Sequence, residues 1–165
     1  MHLIVPNQKG YLADQYGQHN PLPTPLSFPF DITEFPEDTA SFALTFVDFD
    51  AIPVGGFPWI HWIAANIDVA NYRLPENASH GKTFDFVQGR NSLAGAYVGE
   101  QDPAINTGYA NPAPPDKDHR YTLSVYALDT KLKLTTGFWM NELYDAMDGH
   151  IIDQDQLDLS YRSMK

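Results

Sequence analysis

The sequence contains no cysteine, so disulfide bonds, thiolate metal ligands and cysteine nucleophiles are excluded from its chemistry. Basic residues are also scarce, because 10 Lys and Arg stand against 21 Asp and Glu and give a formal net charge of −11. A field of that sign repels phosphate backbones and anionic membrane surfaces, so nucleic acid is not an expected partner. Binding or catalysis must therefore use histidine, carboxylate, hydroxyl or backbone groups.

Long apolar runs are absent too, and no stretch approaches the roughly 20 residues of a transmembrane segment. The first residues, MHLIVPNQKG, lack the basic segment, apolar stretch and cleavage site of a secretory signal, so a cytoplasmic location is the default expectation. Core-forming residues are plentiful: 43% of the chain is apolar, with 10 Phe, 9 Tyr and 3 Trp. Since we find no repeat or linker, residues 1–165 are expected to form a single domain.

The 13 prolines favour short strands joined by shaped turns over long helices. Three segments alternate as strands do: SFALTFVDFDA, WIHWIAANI and HRYTLSVYALD. The second is apolar on both faces, which predicts a central strand. In the third, alternation places His119 and Tyr121 on the apolar face and turns Arg120 away from it.

Other segments carry weaker patterns. TTGFWMNELYDAMDGH predicts a helix capped by Thr136 and stopped at Gly149. Its apolar residues at helical spacing are Phe138, Leu143 and Met147. FDAIPVGGFPW predicts a rigid loop whose Phe57–Pro58 bond could be cis or trans, and the polar stretch 81–110 predicts a long loop at the edge of a site.

Polar side chains mark the ends of the three predicted strands. Asp48 closes the first strand, whereas His61 and His119 lie near the starts of the second and third. If the first strand runs antiparallel to the other two, these residues and Tyr121 gather at one end of one sheet. The pattern therefore predicts a candidate site there, although strand-end histidines are often structural and Asp48 could simply cap a turn.

The residues leave three chemistries open. Two histidines and an aspartate could bind a metal, but no short-spaced His pair supports a metal site. Ser92 in GRNSLAG could serve a hydrolytic triad, but the G-x-S-x-G elbow is missing. A pocket for a small anion, with imidazole, tyrosine and backbone donors, uses every residue present.

Three blocks, DFDA, WIHW and NPAPPDKDHRY, resemble in order and spacing those of the phosphatidylethanolamine-binding protein family. The ending AMDGHIIDQDQLDLSYR resembles its bacterial, Raf-kinase-inhibitor-like branch (YbhB/YbcL). The resemblance implies a mainly β fold, a Greek-key β-sandwich with a few short peripheral helices. It also implies a pocket at one end of the central sheet for phosphate, phosphoryl head groups, acetate or similar anions.

Matching motif positions implies a set of ligand-binding residues. They are Asp48, His61, Ala113, Pro114, Pro115, His119 and Tyr121. The imidazoles and the tyrosine hydroxyl are expected to donate hydrogen bonds, Asp48 to orient an imidazole, and the prolines to form a wall. With an ordinary histidine pKa of about 6.5, anion binding is predicted to strengthen as the pH falls. No metal, cofactor or catalytic residue is implied.

The sequence departs from the family blocks at Phe49, Ile52, Asn111 and Ala113, which implies a reshaped ligand specificity. The leading hypothesis is a non-enzymatic binding protein for a small anion. The second is a protein-interaction module that regulates a kinase or protease, and the third is a hydrolase that uses the His/Asp cluster. Bacterial relatives imply a possible homodimer.

Overall fold

The structure, a computed structural model, describes residues 1–165. The strands are β1 (His2–Ile4), β2 (Phe30–Thr33), β3 (Ser41–Asp48), β4 (Trp59–Asp68), β5 (Arg73–Leu74), β6 (Val87–Gln88), β7 (His119–Leu128) and β8 (Ile151–Tyr161). The α-helices are α1 (Ile52–Gly55), α2 (Pro103–Asn106) and α3 (Met140–Met147), and short 3-10 turns lie at Asp14–Tyr16, Val69–Asn71 and Ser92–Ala94. No helix combines the length and the hydropathy that crossing a membrane requires.

The strands form two antiparallel sheets. A three-stranded sheet has the order β1-β2-β5, and a five-stranded sheet has the order β6-β4-β3-β7-β8. In the larger sheet, β7 returns to lie beside β3 after β4 and β6, which is the Greek-key arrangement. The predicted mainly β fold with short helices is therefore confirmed.

Alternating side chains of the large sheet supply two apolar layers. Phe46, Trp62 and Leu123 face the small sheet and pack with its Phe30 and Ile32. The opposite face includes Ala43, Ile63 and Leu128 and packs against Leu143 and Met147 of α3. Because β3 and most of β4 are covered on both sides, their sequences are apolar on both faces. The segment WIHWIAANI forms most of β4, which is an internal strand. The middle strand is β3, so the prediction of a central strand is correct only in this looser sense.

Two local predictions are wrong. The helix begins at Met140, not after Thr136, because Gly137 adopts a left-handed conformation (φ 98°) that a helix cannot continue through. The Glu142 carboxylate instead accepts a hydrogen bond from the Trp139 backbone N–H (2.7 Å) at the helix start. Phe138 is buried but lies before the helix.

The segment FDAIPVGGFPW is not a plain loop, because it contains the short helix α1. Pro53 lies in its first turn, where a fixed φ favours a helix, and Gly56 ends it with a left-handed conformation (φ 91°). All peptide bonds, including Phe57–Pro58, are trans.

Candidate functional site

The register of the large sheet brings the predicted polar residues together. Asp48, at the end of β3, lies opposite Tyr121 on β7 and opposite Trp59 on β4. The antiparallel pairing of β3 with both neighbours, which the sequence argument required, is therefore confirmed. His119 starts β7, so its imidazole lies at the same end of the sheet.

A β-bulge places His61 in this group. Phe46 pairs with Trp62 and Val47 pairs with Ile60, so β4 contains one extra residue, His61, at this point. Simple alternation groups His61 with Ile63, which faces α3 on the other side of the sheet. The bulge turns the imidazole toward Phe46 and Tyr121, with the His61 and Tyr121 rings 5.1 Å apart.

These residues form the floor of a cavity of about 660 Å³. Its polar lining includes Asp48, His61, Asn111, His119 and Tyr121. Ala113 and Pro115 also line it, as predicted, but Pro114 does not and is instead buried in the protein. Pro112 is buried in the same way, so alternate residues of the turn face the interior and the cavity.

His119 is held between two carboxylates. Its Nδ1 lies 2.7 Å from Oδ2 of Asp48, and its Nε2 lies 2.8 Å from Oδ1 of Asp116. Burial opposes a charge on this imidazole, but the hydrogen bonds to Asp48 and Asp116 outweigh it and raise the pKa of His119 above its usual range. Both ring nitrogens face carboxylate oxygens, which only accept, so the geometry favours an imidazolium that donates from both N–H groups.

His61 has the opposite character. Burial, only partly offset by the Ala110 carbonyl and Asp48, lowers the pKa of His61 to about 4. Its Nδ1 lies 3.0 Å from the Ala110 carbonyl oxygen, which can only accept, so Nδ1 carries the proton. At neutral pH Nε2 therefore presents a lone pair, so the predicted role of His61 as a donor to an anion would require a second proton on the ring.

Two buried polar atoms of the cavity lining have no hydrogen-bond partner: the Tyr121 hydroxyl and Oδ1 of Asn111. The Tyr121 side chain is fully buried and stacks on Phe46 (5.6 Å between ring centroids). Burial and the nearby Asp48 charge raise the pKa of Tyr121 well above its usual range, so the hydroxyl keeps its proton. Because an unpaired buried polar group is costly, a ligand or water that forms a hydrogen bond with either atom would be stabilised there.

Much of the cavity wall is apolar and comes from segments that the strand pattern did not single out. The N-terminal segment contributes Pro23 and Pro25, α1 and the residues after it contribute Val54 and Phe57, and the 81–110 stretch contributes Leu93, Ala104 and Ile105. The prediction that this stretch edges a site therefore agrees with the cavity. No Lys or Arg lines the cavity, and no group of three or more His, Asp or Glu side chains is arranged to hold a metal ion.

Comparison with known proteins agrees with this fold. The phosphatidylethanolamine-binding protein family profile matches residues 5–162. The uncharacterized protein YxkA of Bacillus subtilis is 45% identical over 161 residues, covering 92% of this chain and 94% of YxkA. A UPF0098 protein of Chlamydia trachomatis is 35% identical over 130 residues, covering 77% of this chain and 76% of that protein.

Two solved structures are similar along nearly their whole length. The phosphatidylethanolamine-binding protein homologue CT736 of Chlamydia trachomatis has a TM-score of 0.76 and 30% identity, covering 92% of this chain and 89% of that one. Escherichia coli YbcL, described as a member of the mammalian PEBP family, has a TM-score of 0.74 and 25% identity, covering 97% of this chain and 96% of that one. On the family profile and on these relatives, the chain belongs to the phosphatidylethanolamine-binding protein family.

Proposed function

We propose that this protein binds, without chemically changing it, a small molecule that carries a phosphate, phosphoryl or carboxylate group in the cavity at the end of the large sheet. Membership of the family implies a ligand-binding protein rather than an enzyme. The observation that carries the anion proposal is the Tyr121 hydroxyl, a fully buried donor without a partner in the cavity lining. His119 supplies a second donor, since its imidazolium Nε2–H already binds a carboxylate, that of Asp116.

The cavity also suits the rest of such a molecule. Its volume of about 660 Å³ lies within the roughly 300–1,000 Å³ typical of small-molecule sites. Apolar walls at Val54, Phe57 and Ile105 can hold a hydrocarbon body while the charged group reaches the polar floor. Binding energy then comes from apolar burial, and the donors fix the orientation of the charged group.

Replacement of Tyr121 by phenylalanine tests the proposal. We expect affinity for phosphate, phosphoethanolamine or acetate to fall roughly tenfold, because one hydrogen bond to a charged group is lost. The free energy of unfolding should stay the same or rise by up to about 1 kcal/mol, since the hydroxyl has no partner in the free protein. Isothermal titration calorimetry and urea unfolding measure the two effects.

Tyr126→Phe is the matched control, because Tyr126 lies on the same strand and its hydroxyl faces Tyr144 outside the cavity. Its anion affinity should equal that of the wild type. If the wild-type protein binds none of the three ligands, or if both substitutions weaken binding equally, the proposed role of the cavity is wrong.

The pH dependence of binding follows from His119, not His61. The raised pKa of His119 keeps this donor charged to a higher pH than an ordinary histidine, so affinity for acetate should fall as the pH rises, with a midpoint above about 6.5. The groups that face the imidazole are Asp48, Asp116, His61 and Tyr121. The prediction that binding strengthens as the pH falls is kept, and a calorimetric titration series in which affinity does not change between mildly acid and mildly alkaline pH would contradict the assignment.

A second candidate function, protein binding around the cavity mouth, is favoured by one observation. Large apolar side chains are exposed on the segments that border the cavity: Phe49, Val54, Phe57, Tyr97 and Ile105. The Phe57 and Tyr97 rings stack on each other at 5.8 Å. Clustered apolar residues of this kind are typical of interaction surfaces. A partner that binds this rim would still bind Tyr121→Phe but would lose affinity for Phe57→Ser.

A further inference from the structure

The contact between Asp116 and His119 decides which groups an incoming anion can reach. Asp116 lies in the loop between Pro115 and β7, and its carboxylate oxygen Oδ1 is 2.8 Å from Nε2 of His119. The other imidazole nitrogen, Nδ1, is bound to the buried Asp48 carboxylate at 2.7 Å. Neither N–H of His119 is therefore open in this arrangement.

The two carboxylates differ in how firmly they are held. The Asp48 side chain is 4% exposed, and its other oxygen accepts a hydrogen bond from the Ala51 backbone N–H (3.1 Å). The Asp116 side chain is 48% exposed, and apart from His119 only the adjacent backbone N–H groups of Asp116 and Lys117 stabilise its charge. Asp116 can therefore rotate into water, where it is fully solvated, whereas Asp48 has no such alternative.

We propose that Asp116 is an internal competitor for the ligand: its carboxylate occupies the Nε2–H of His119 and must leave before an anionic group binds there. This inference rests on the proposed anion-binding function and adds a control step to it. Asp116 lowers the affinity for every anion by a common factor, because each must displace it. It also keeps the imidazolium paired while the cavity holds no anion.

The charge balance at the site supports the competition. With Asp116 in place, the aspartates at 48 and 116 and the imidazolium of His119 sum to one negative charge, and no Lys or Arg of the cavity lining offsets it. A further anion at this position would face two carboxylates around one cation. When Asp116 has rotated away, the anion takes its place, and the imidazolium of His119 again lies between two negative groups.

The experiment compares wild type, Asp116→Asn and Asp116→Ala by calorimetric titration with inorganic phosphate and with acetate at about pH 5.5, where an imidazole of ordinary pKa stays charged even without the contribution of Asp116. We expect both variants to bind roughly tenfold more tightly, since the negatively charged carboxylate of Asp116 no longer competes for Nε2–H. Asp118→Asn is the matched control, because it removes one negative charge two residues away without contacting His119. Its affinity should stay within about twofold of wild type. Imidazole ¹⁵N spectra should show the Nε2–H signal of wild-type His119 shifting when phosphate is added.

Each outcome has one meaning. Tighter binding in both Asp116 variants but not in Asp118→Asn supports the competition. If wild type binds phosphate and the Asp116 variants bind no better, or if Asp118→Asn gains as much, the competition is overturned while the proposed function stands. If wild type and both Asp116 variants bind neither anion, the proposed function fails and this inference fails with it.

Discussion

Replacement of Asp48 by alanine is expected to lower the free energy of unfolding by about 3 kcal/mol or more, which is the typical cost of breaking a buried ion pair by removing one partner. Asp48 and His119 are both almost fully buried and are joined at 2.7 Å. The substitution leaves His119 without its buried counter-ion and the Ala51 backbone N–H without its acceptor. Urea unfolding at pH 7 measures the loss.

Asp50→Ala provides the control for this change. Asp50 lies two residues away and also accepts a backbone hydrogen bond, from the Arg120 N–H at 2.9 Å, but this bond is exposed to solvent. Its removal should cost no more than about 1 kcal/mol. If Asp48→Ala costs as little as Asp50→Ala, Asp48 does not anchor the site and the pairing with His119 is not a major source of stability.

Acid should destabilise the protein through His61. The pKa of His61 is about 4 in the folded protein and about 6.5 in an unfolded chain, because burial opposes the charge. The unfolded state therefore binds more protons between these values, and stability falls as the pH drops from about 6.5 to 4. The shift corresponds to about 3 kcal/mol over that range.

His61→Asn isolates this contribution, because the asparagine amide can still donate to the Ala110 carbonyl in place of Nδ1 but cannot be protonated. The variant is expected to be less stable than wild type at pH 7, since a smaller side chain leaves space beside Phe46 and Tyr121. Its stability should nevertheless change much less between pH 6.5 and 4. Equal acid slopes in the two proteins would show that His61 is not the buried neutral group described here.

The central strands were predictable because their residues obey a simple rule. Alternation of apolar side chains fixed the positions of β3, β4 and β7, and antiparallel pairing then brought Asp48, His119 and Tyr121 to one end of the sheet. The prediction of the helix start was wrong because the sequence pattern could not show that Gly137 adopts a left-handed conformation. Helix α1 was not predicted, because a helix of four residues leaves no periodic signal in the sequence.

Within the site, the sequence identified candidate residues but could not show their geometry or their pKa values. His61 reaches the cavity through a bulge, which alternation alone does not reveal. Burial lowers the pKa of both histidines, but the hydrogen bonds of His119 to two carboxylates outweigh it, whereas the single carbonyl partner of His61 offsets it only in part. In the sequence Asp116 does not differ from the other acidic residues near it, because only the folded loop brings its carboxylate to His119. The ligand-binding roles of the predicted residues stay predictions.

The segments at the two ends of the described chain meet, and this has a consequence for biosynthesis. The Leu3 N–H donates to the Asp155 side chain (2.9 Å) and the Leu12 N–H donates to the Ser160 carbonyl (2.9 Å), so the first segments lie against β8. Strand β7, which carries His119, also pairs with β8 over its length. Strand β8 is synthesised after these segments and after β7, so none of them can complete its pairing until β8 is available. Folding of the ligand site is thus expected to be slow, as is usual for domains rich in contacts distant in sequence.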